Sequence, residues 1–261
     1  MIIYDGPSEL DGQRILGIVT GLKGKSTNEK TGPMAQLYIL AAGQHPTEAL
    51  KTGLDSTICG DCKHRPLTGM GSCYVVVAQG PSAVWRAWVR GTYPASTPAE
   101  VNAICHAKQK PIRLGAYGDP AALPVGTIRE LVRGLRFTGY THQWNLVRHQ
   151  ALREFCMASV DTPAEYQAAK LLGWRTFRVR LDSEELFTGK EIQCPASDES
   201  GYRTTCDKCV LCMGTSIKAR DIAIIVHGQH VNKFVSLRRS DGSAISLNAS
   251  GASGVGQNYL C

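Results

Sequence analysis

Residues 156–181, CMASVDTPAEYQAAKLLGWRTFRVRL, decide the fold. CMASVD is short, apolar and strand-like. In TPAEYQAAKLLG, Asp161 or Thr162 opens a helix, Pro163 occupies the first turn, where its missing N–H costs nothing, and Gly173 follows the end. WRTFRVRL then alternates as a strand does. A strand, a helix and a second strand in so short a span make a βαβ unit, which implies parallel pairing and a right-handed crossover.

The same alternation extends outward from this unit. Upstream, PSAVWRAWVRGTYP (81–94) reads as a helix with Trp85, Trp88 and Val89 on one face, and PAEVNAICHAKQ (98–109) as another. IRLGAYG (112–118) is a strand, PAALPVGTIRELVRGL (120–135) contains a helix, and RFTGYTHQW (136–144) is a strand with Gly139 inside it. NLVRHQALREF (145–155) is patterned as a helix. Downstream, EIQCPA (191–196) and IKARDIAIIVHG (217–228) are strands, followed by VNKFVSLRR (231–239). Residues 1–58 form a β/turn lead-in with ILGIVTG and AQLYILAAG as strands, and the Ser-, Gly- and Asn-rich residues 241–261 read as a loosely ordered tail. Repeated crossovers of this kind end in an open α/β sheet or a barrel.

Composition narrows the class. With 43% apolar and 20% charged residues, 261 residues are enough for one substantial core. The longest apolar stretches, Tyr74–Ala78 and Ile222–Val226, are strand-sized and too short to span a bilayer. The N-terminus has no basic flank followed by a long apolar run, so no signal peptide is expected, and the expected location is the cytoplasm. The +7 excess, 29 basic against 22 acidic side chains, fits either a phosphate-rich partner or a solvated basic surface; no dense Lys/Arg run decides between them.

Ten cysteines in a reducing compartment point to metal or redox chemistry rather than disulfides. Cys206, Cys209 and Cys212 put three thiols within seven residues, a spacing that wraps one face of an iron–sulfur cluster, and Cys194, followed by Pro195, is a candidate fourth ligand. Four thiolates equally make a closed zinc site. Cys59, Cys62 and Cys73 form a second set. It could be a zinc knuckle completed by His64 or Cys73, a cluster with one open iron, a thiol redox pair, or a stapled loop. Tyr140, Thr141, His142 and Trp144 sit at a strand's end where barrel enzymes build active sites, and His227 ends another. Asp161 is equally a helix cap, and Trp85, Trp88 and Trp174 read as core. Phosphate-loop and nucleophile-elbow patterns are absent.

These residues carry a resemblance. The run from Cys59 to Cys212 resembles the radical S-adenosylmethionine (SAM) enzymes, in which three cysteines on the first loop bind a [4Fe–4S] cluster. Tyr74 follows Cys73 as an aromatic residue does there. Gly118-Asp119-Pro120 is similar to a Gly-Glu-Pro segment that contacts SAM, and Ser159-Val160-Asp161 to a Ser-x-Asp turn. The usual CxxxCxxC is replaced by CxxC, ten residues, then Cys. The Ser26–Gly32 run, the Cys-Tyr step and the closing CxxCxxC are also similar to cysteine-rich proteins of bacteriophages and mobile elements.

The resemblance implies a partial (β/α) barrel of mainly parallel strands over residues 59–193, with a cysteine-rich metal module at 194–240 packed on it. It implies cluster ligation by Cys59, Cys62 and Cys73, SAM contacts at Gly118 and Asp119, and Tyr140, His142 and Asp161 at the mouth. Cys194, Cys206, Cys209 and Cys212 would hold an auxiliary site, and the substrate would be a nucleotide or nucleic acid. Two readings of other classes stay open: a zinc-stabilised protein that binds nucleic acid or a host protein without catalysis, and a structural phage component. Oligomeric state is not legible in the sequence.

Overall fold

The computed structural model describes residues 1–24, 30–67, 69 and 71–240. The tail at 241–261 and most of the Ser26–Gly32 run lie outside the described residues.

Among the described residues, ten strands form two five-stranded sheets. The first has the order β1 (Ile2–Pro7), β2 (Arg14–Thr20), β3 (Ala35–Ala41), β4 (Ile112–Tyr117) and β5 (Phe137–Thr138). The second runs β6 (Tyr140–Thr141), β7 (Met157–Val160), β8 (Thr176–Arg180), β10 (Asp221–Ile225), β9 (Glu191–Gln193). β1, β2 and β3 are antiparallel, and every pairing from β3 onward is parallel. The chain is therefore mixed α/β with parallel sheets, and no pairing among the described residues closes a ring.

Gly139 explains why there are two sheets rather than one. It lies between β5 and β6, and its N–H leaves the ladder to donate to the Cys212 carbonyl at 3.0 Å. A Cβ there would meet the Phe155 carbonyl oxygen at 2.8 Å and Cys156 Sγ at 2.9 Å, so only glycine fits. Across residues 58/59 β3 pairs with β4, and across 193/194 β10 lies between β8 and β9.

Eight α-helices accompany the strands: α1 (Pro46–Thr52), α2 (Ser56–Cys59), α3 (Gly80–Val89), α4 (Pro98–Ala107), α5 (Val125–Val132), α6 (Pro163–Leu171), α7 (Cys206–Cys209) and α8 (Val231–Ser240). Thr97 with Glu100, and Thr162 with Glu165, form reciprocal capping boxes at α4 and α6, each followed by proline. The cap of α6 is thus Thr162, and Asp161 is left for another task. Among the described residues, no helix is long and apolar enough to cross a membrane.

Three local expectations change. Residues 147–154 wind as a 3-10 helix rather than an α-helix. Val89 is 64% exposed, so the packed face of α3 is Pro81, Val84, Trp85 and Trp88. Tyr74–Ala78 is apolar enough for a strand but pairs with nothing as one. Its carbonyls are taken locally, Val76 by the Gln79 N–H and Val77 by Ser82, which turns the chain into α3.

β2 and β4 are buried almost throughout, as central strands are, and the main core lies around them. β8 alternates: Thr176, Arg178 and Arg180 are buried on one face, while Phe177 and Val179 turn to the other. Arg178 is 1% exposed and meets the Glu191 carboxylate with both nitrogens, at 2.7 and 2.9 Å, which satisfies two charges that would each be costly alone.

Candidate functional site

The inner face of the parallel strands encloses a cavity of about 140 Å³. Tyr140, Ser159, Phe177 and Ile224 form its floor, and Phe234 of α8 covers it. Two cysteines of the first group, Cys62 and Cys73, and two of the second, Cys194 and Cys206, share its wall. Groups that are far apart in sequence thus face one space beside the parallel strands.

The first cysteine loop is tied down by charge. Arg65, 6% exposed, grips Asp55 through Nε and Nη2, both at 2.8 Å, and donates to the carbonyls of Gly53 and Gly60. The Cys73 N–H donates to the His64 carbonyl, which folds the two ends of the loop together. Gln143 donates to the Cys59 carbonyl at 3.0 Å.

His64, 8% exposed, is the hub. Its Nδ1 lies 2.7 Å from Ser72 Oγ and its Nε2 2.9 Å from Asp161 Oδ2; its ring stacks on Phe234 and meets the His142 ring edge-on. Lys63 Nζ reaches Asp161 at 2.9 Å and Glu165 at 2.6 Å. Burial opposes ionisation of Asp161, but His64 and Lys63 outweigh it and hold its carboxyl well below the usual carboxylate range.

The thiols of this loop are disposed the other way. Burial pushes the Cys59 thiol well up, and Cys62 and Cys73 add to it. Burial also raises Cys62, with His64 offsetting part of the effect. It takes Cys73 to about 11, against a hydrogen bond from the Val75 backbone. Cys62 and Cys73 oppose the ionisation of Cys59, and Cys62 opposes that of Cys73.

The second group is assembled from three places. Cys194 follows β9, and its N–H donates to the Ala223 carbonyl at 2.7 Å. Cys206 and Asp207 donate to the carbonyls of Lys30 and Thr31, anchoring α7 to the N-terminal part of the chain. Val210 then takes a left-handed backbone, φ +44°, and swings the chain toward Cys212. For a β-branched residue that conformation is an outlier, and outliers of this kind gather at functional turns.

Burial pushes Cys212 well up, and Cys194, Cys206 and Cys209 press the same way, against a hydrogen bond from the Tyr140 hydroxyl. Arg175, 6% exposed, spreads its guanidinium over four carbonyls, those of Leu211, Gly214, Ala219 and Arg220, and so braces the loop from behind.

The residues expected from sequence are used unequally. Tyr140 and His142 line the cavity, whereas Gly118, Asp119, Asp161, Cys59, Cys209 and Cys212 stand off its wall. Gly118 has φ +79° and lies so close to β3 that a Cβ would meet Ile39 Cβ at 2.8 Å. Asp119 accepts from the Ala121 N–H, the Thr141 hydroxyl and the His142 N–H at 2.7–2.9 Å, fastening the end of β4 to the end of β6. Asp161 works through Lys63 and His64.

Sequence reasoning missed Lys63, Arg65, Asp55, Ser72 and Phe234 as parts of the site. The polar spacing of the loop was the one available signal for the first four.

Among the described residues, no three His, Cys, Asp or Glu side chains stand together as a finished metal site. Loading either cysteine group therefore requires thiols to turn toward one another and lose their protons. Compared with known proteins, the chain matches no family model, no curated protein and no solved structure.

Proposed function

We propose that this chain is an iron–sulfur enzyme of the radical SAM kind, on a partial (β/α) barrel, acting on a nucleotide or a nucleic acid. The observation that carries the reading is that Cys62 and Cys73 of the first group and Cys194 and Cys206 of the second line one cavity. The donor set suits a metal: buried thiols that oppose one another's ionisation are relieved together by a cation, which makes thiolates of them. Cys59, Cys62 and Cys73 would hold the [4Fe–4S] cluster that receives SAM, and Cys194, Cys206, Cys209 and Cys212 an auxiliary centre. When bound, the first cluster supplies the single electron that reduces SAM and breaks one of its C–S bonds.

The protein's own residues prepare the space. Arg65 and Asp55 fix the loop, and Lys63 with Asp161 ties it to α6. Asp119 presents His142 at the mouth, and Tyr140 donates to Cys212. Among the described residues, the cavity wall carries Lys30, Arg113, His142, His227 and His230 beside Tyr74, Phe177 and Phe234, and no Asp or Glu. Cationic and aromatic surfaces without a carboxylate suit a planar, anionic ligand such as a nucleotide.

Anaerobic purification and reconstitution, with iron and sulfide analysis and an electronic spectrum, test the reading. A brown protein that cleaves SAM when reduced is the expected result. A colourless zinc protein showing only salt-sensitive nucleic-acid binding would overturn it in favour of a zinc-stabilised binding protein.

A further inference from the structure

One edge of the first sheet gathers positive charge. β2 ends beside the start of β3, and β3, β4 and β5 start side by side: Thr20 pairs with Gln36, Ala35 with Ile112, and Ile112 with Phe137. The segments just outside that edge carry Lys23, Lys108, Lys110, Arg133 and Arg136. Hydrogen bonds join these segments into one rim. Lys108 Nζ donates to the Leu22 carbonyl at 2.9 Å, and Lys110 Nζ to those of Gly21 and Gly24 at 2.5 and 2.6 Å, so both reach the turn that bears Lys23. His106 Nε2 lies 2.9 Å from the Arg133 carbonyl, and the Ile112 N–H donates to that of Arg136. All five cations but Lys110 are exposed. Residues 13–24, 101–118 and 131–153 contain no Asp or Glu. Among the described residues, none of the five makes a salt bridge, and Glu130, exposed at the end of α5, makes none with them.

Cations are ordinary at helix C-termini, and α4 and α5 both end at this edge. Two helix ends supply only about one negative charge between them, so most of the five positive charges stay uncompensated. Three sheet steps separate β2 from β5, which makes the rim about 14 Å long. Laid along a duplex axis, that length spans about four phosphates of one strand. Phe137 is the one aromatic residue in the segments 21–24, 106–112 and 133–137, and it is buried. Single strands are held largely by stacking on exposed rings, whereas a duplex backbone needs only charge. We propose that this edge docks the phosphate backbone of a double-stranded nucleic acid without reading its bases. None of the cysteines and none of the cavity's lining residues belongs to the rim, so the inference stands whether or not the chain holds metal.

Lys23, Arg133 and Arg136 make no side-chain hydrogen bond among the described residues, so replacing all three by glutamine should leave the melting temperature unchanged. Fluorescence anisotropy of the full chain with a labelled DNA duplex of about 20 base pairs, between about 50 and 200 mM salt, reads the contact. The wild type should bind with a logarithmic salt slope of about −3 to −4. The variant Lys23→Gln, Arg133→Gln, Arg136→Gln should bind at least about 10-fold more weakly and lose about 3 from the slope. The control Arg86→Gln, Arg90→Gln, Lys218→Gln removes the same charge from exposed positions elsewhere and should stay within about 2-fold of the wild type. Should the triple rim variant melt low, Lys23→Gln alone carries the test, with an expected loss of about 1 from the slope. An RNA duplex of the same sequence, run in parallel, tells which helix the rim fits, and loss of either duplex with the rim variant supports the inference. Equal weakening by rim and control variants would overturn it, as would no duplex binding at low salt. Tighter binding to the single strand, or to vesicles of anionic phospholipid, would overturn it as well. None of these outcomes bears on iron content or SAM cleavage, so this inference and the reading of the cysteines fail separately.

Discussion

At the scale of single residues, the site is a set of costs held in place by their neighbours. Val210 is the plainest: a left-handed β-branched residue is disfavoured by on the order of 1–2 kcal/mol. Asparagine tolerates that backbone, so Val210→Asn should stabilise the metal-free chain by about 1 kcal/mol in urea denaturation, and a loss of stability would mean that packing by the valine outweighs the strain. Asp161 is the second case. Its folded pKa lies below the unfolded value of 3.8, so its contribution is present above that value and is lost as pH falls through and below it. Asp161→Asn should cost roughly 3 kcal/mol at pH 7, because His64 and Lys63 lose their partner, and the penalty should shrink toward pH 3. A penalty independent of pH would show that charge is not the cause. Sequence offered Asp161 either as a cap or as a mouth residue and gave no means of choosing. Its partners lie nearly a hundred residues upstream, and local spacing says nothing about such pairs. Thr162 was legible as a possible cap because Pro163 and Glu165 follow it at fixed offsets.

At the scale of elements, α6 and the first cysteine loop are coupled through Glu165 as well as Asp161. Glu165 accepts from the Asp161 and Thr162 N–H groups and also holds Lys63. Glu165→Gln keeps the capping geometry and removes the charge. Amide exchange should therefore accelerate in residues 59–67 while α6 keeps its protection, as followed by hydrogen–deuterium exchange mass spectrometry; equal acceleration in both would mean that the helix itself had come loose. Strands and helices of the βαβ region were readable because each periodicity is local, as in β7, α6 and β8. The residues 74–78 that read as apolar and strand-sized, and the 3-10 turn at 147–154, were not, since in both the deciding hydrogen bonds compete with an equally apolar alternative.

At the scale of the whole molecule, both sheets, both cysteine groups and α8 surround one space. Phe234 closes it, stacked on His64 and 2% exposed. Phe234→Ala should cost about 3 kcal/mol and open the cavity, so that Cys62 and Cys73 react faster with a thiol reagent in the metal-free chain. An unchanged rate would mean that α8 does not shield them. The cavity that Cys62, Cys73, Cys194 and Cys206 line was not legible in the sequence, because it depends on the packing of segments more than a hundred residues apart. The anchoring of α7 carries a consequence for biosynthesis. The carbonyls of Lys30 and Thr31 accept from the N–H groups of Cys206 and Asp207, which are synthesised long after them, so this contact must wait for α7. The antiparallel strands β1, β2 and β3 can pair before then, whereas the corner around Cys206 cannot be completed until the later segment has emerged.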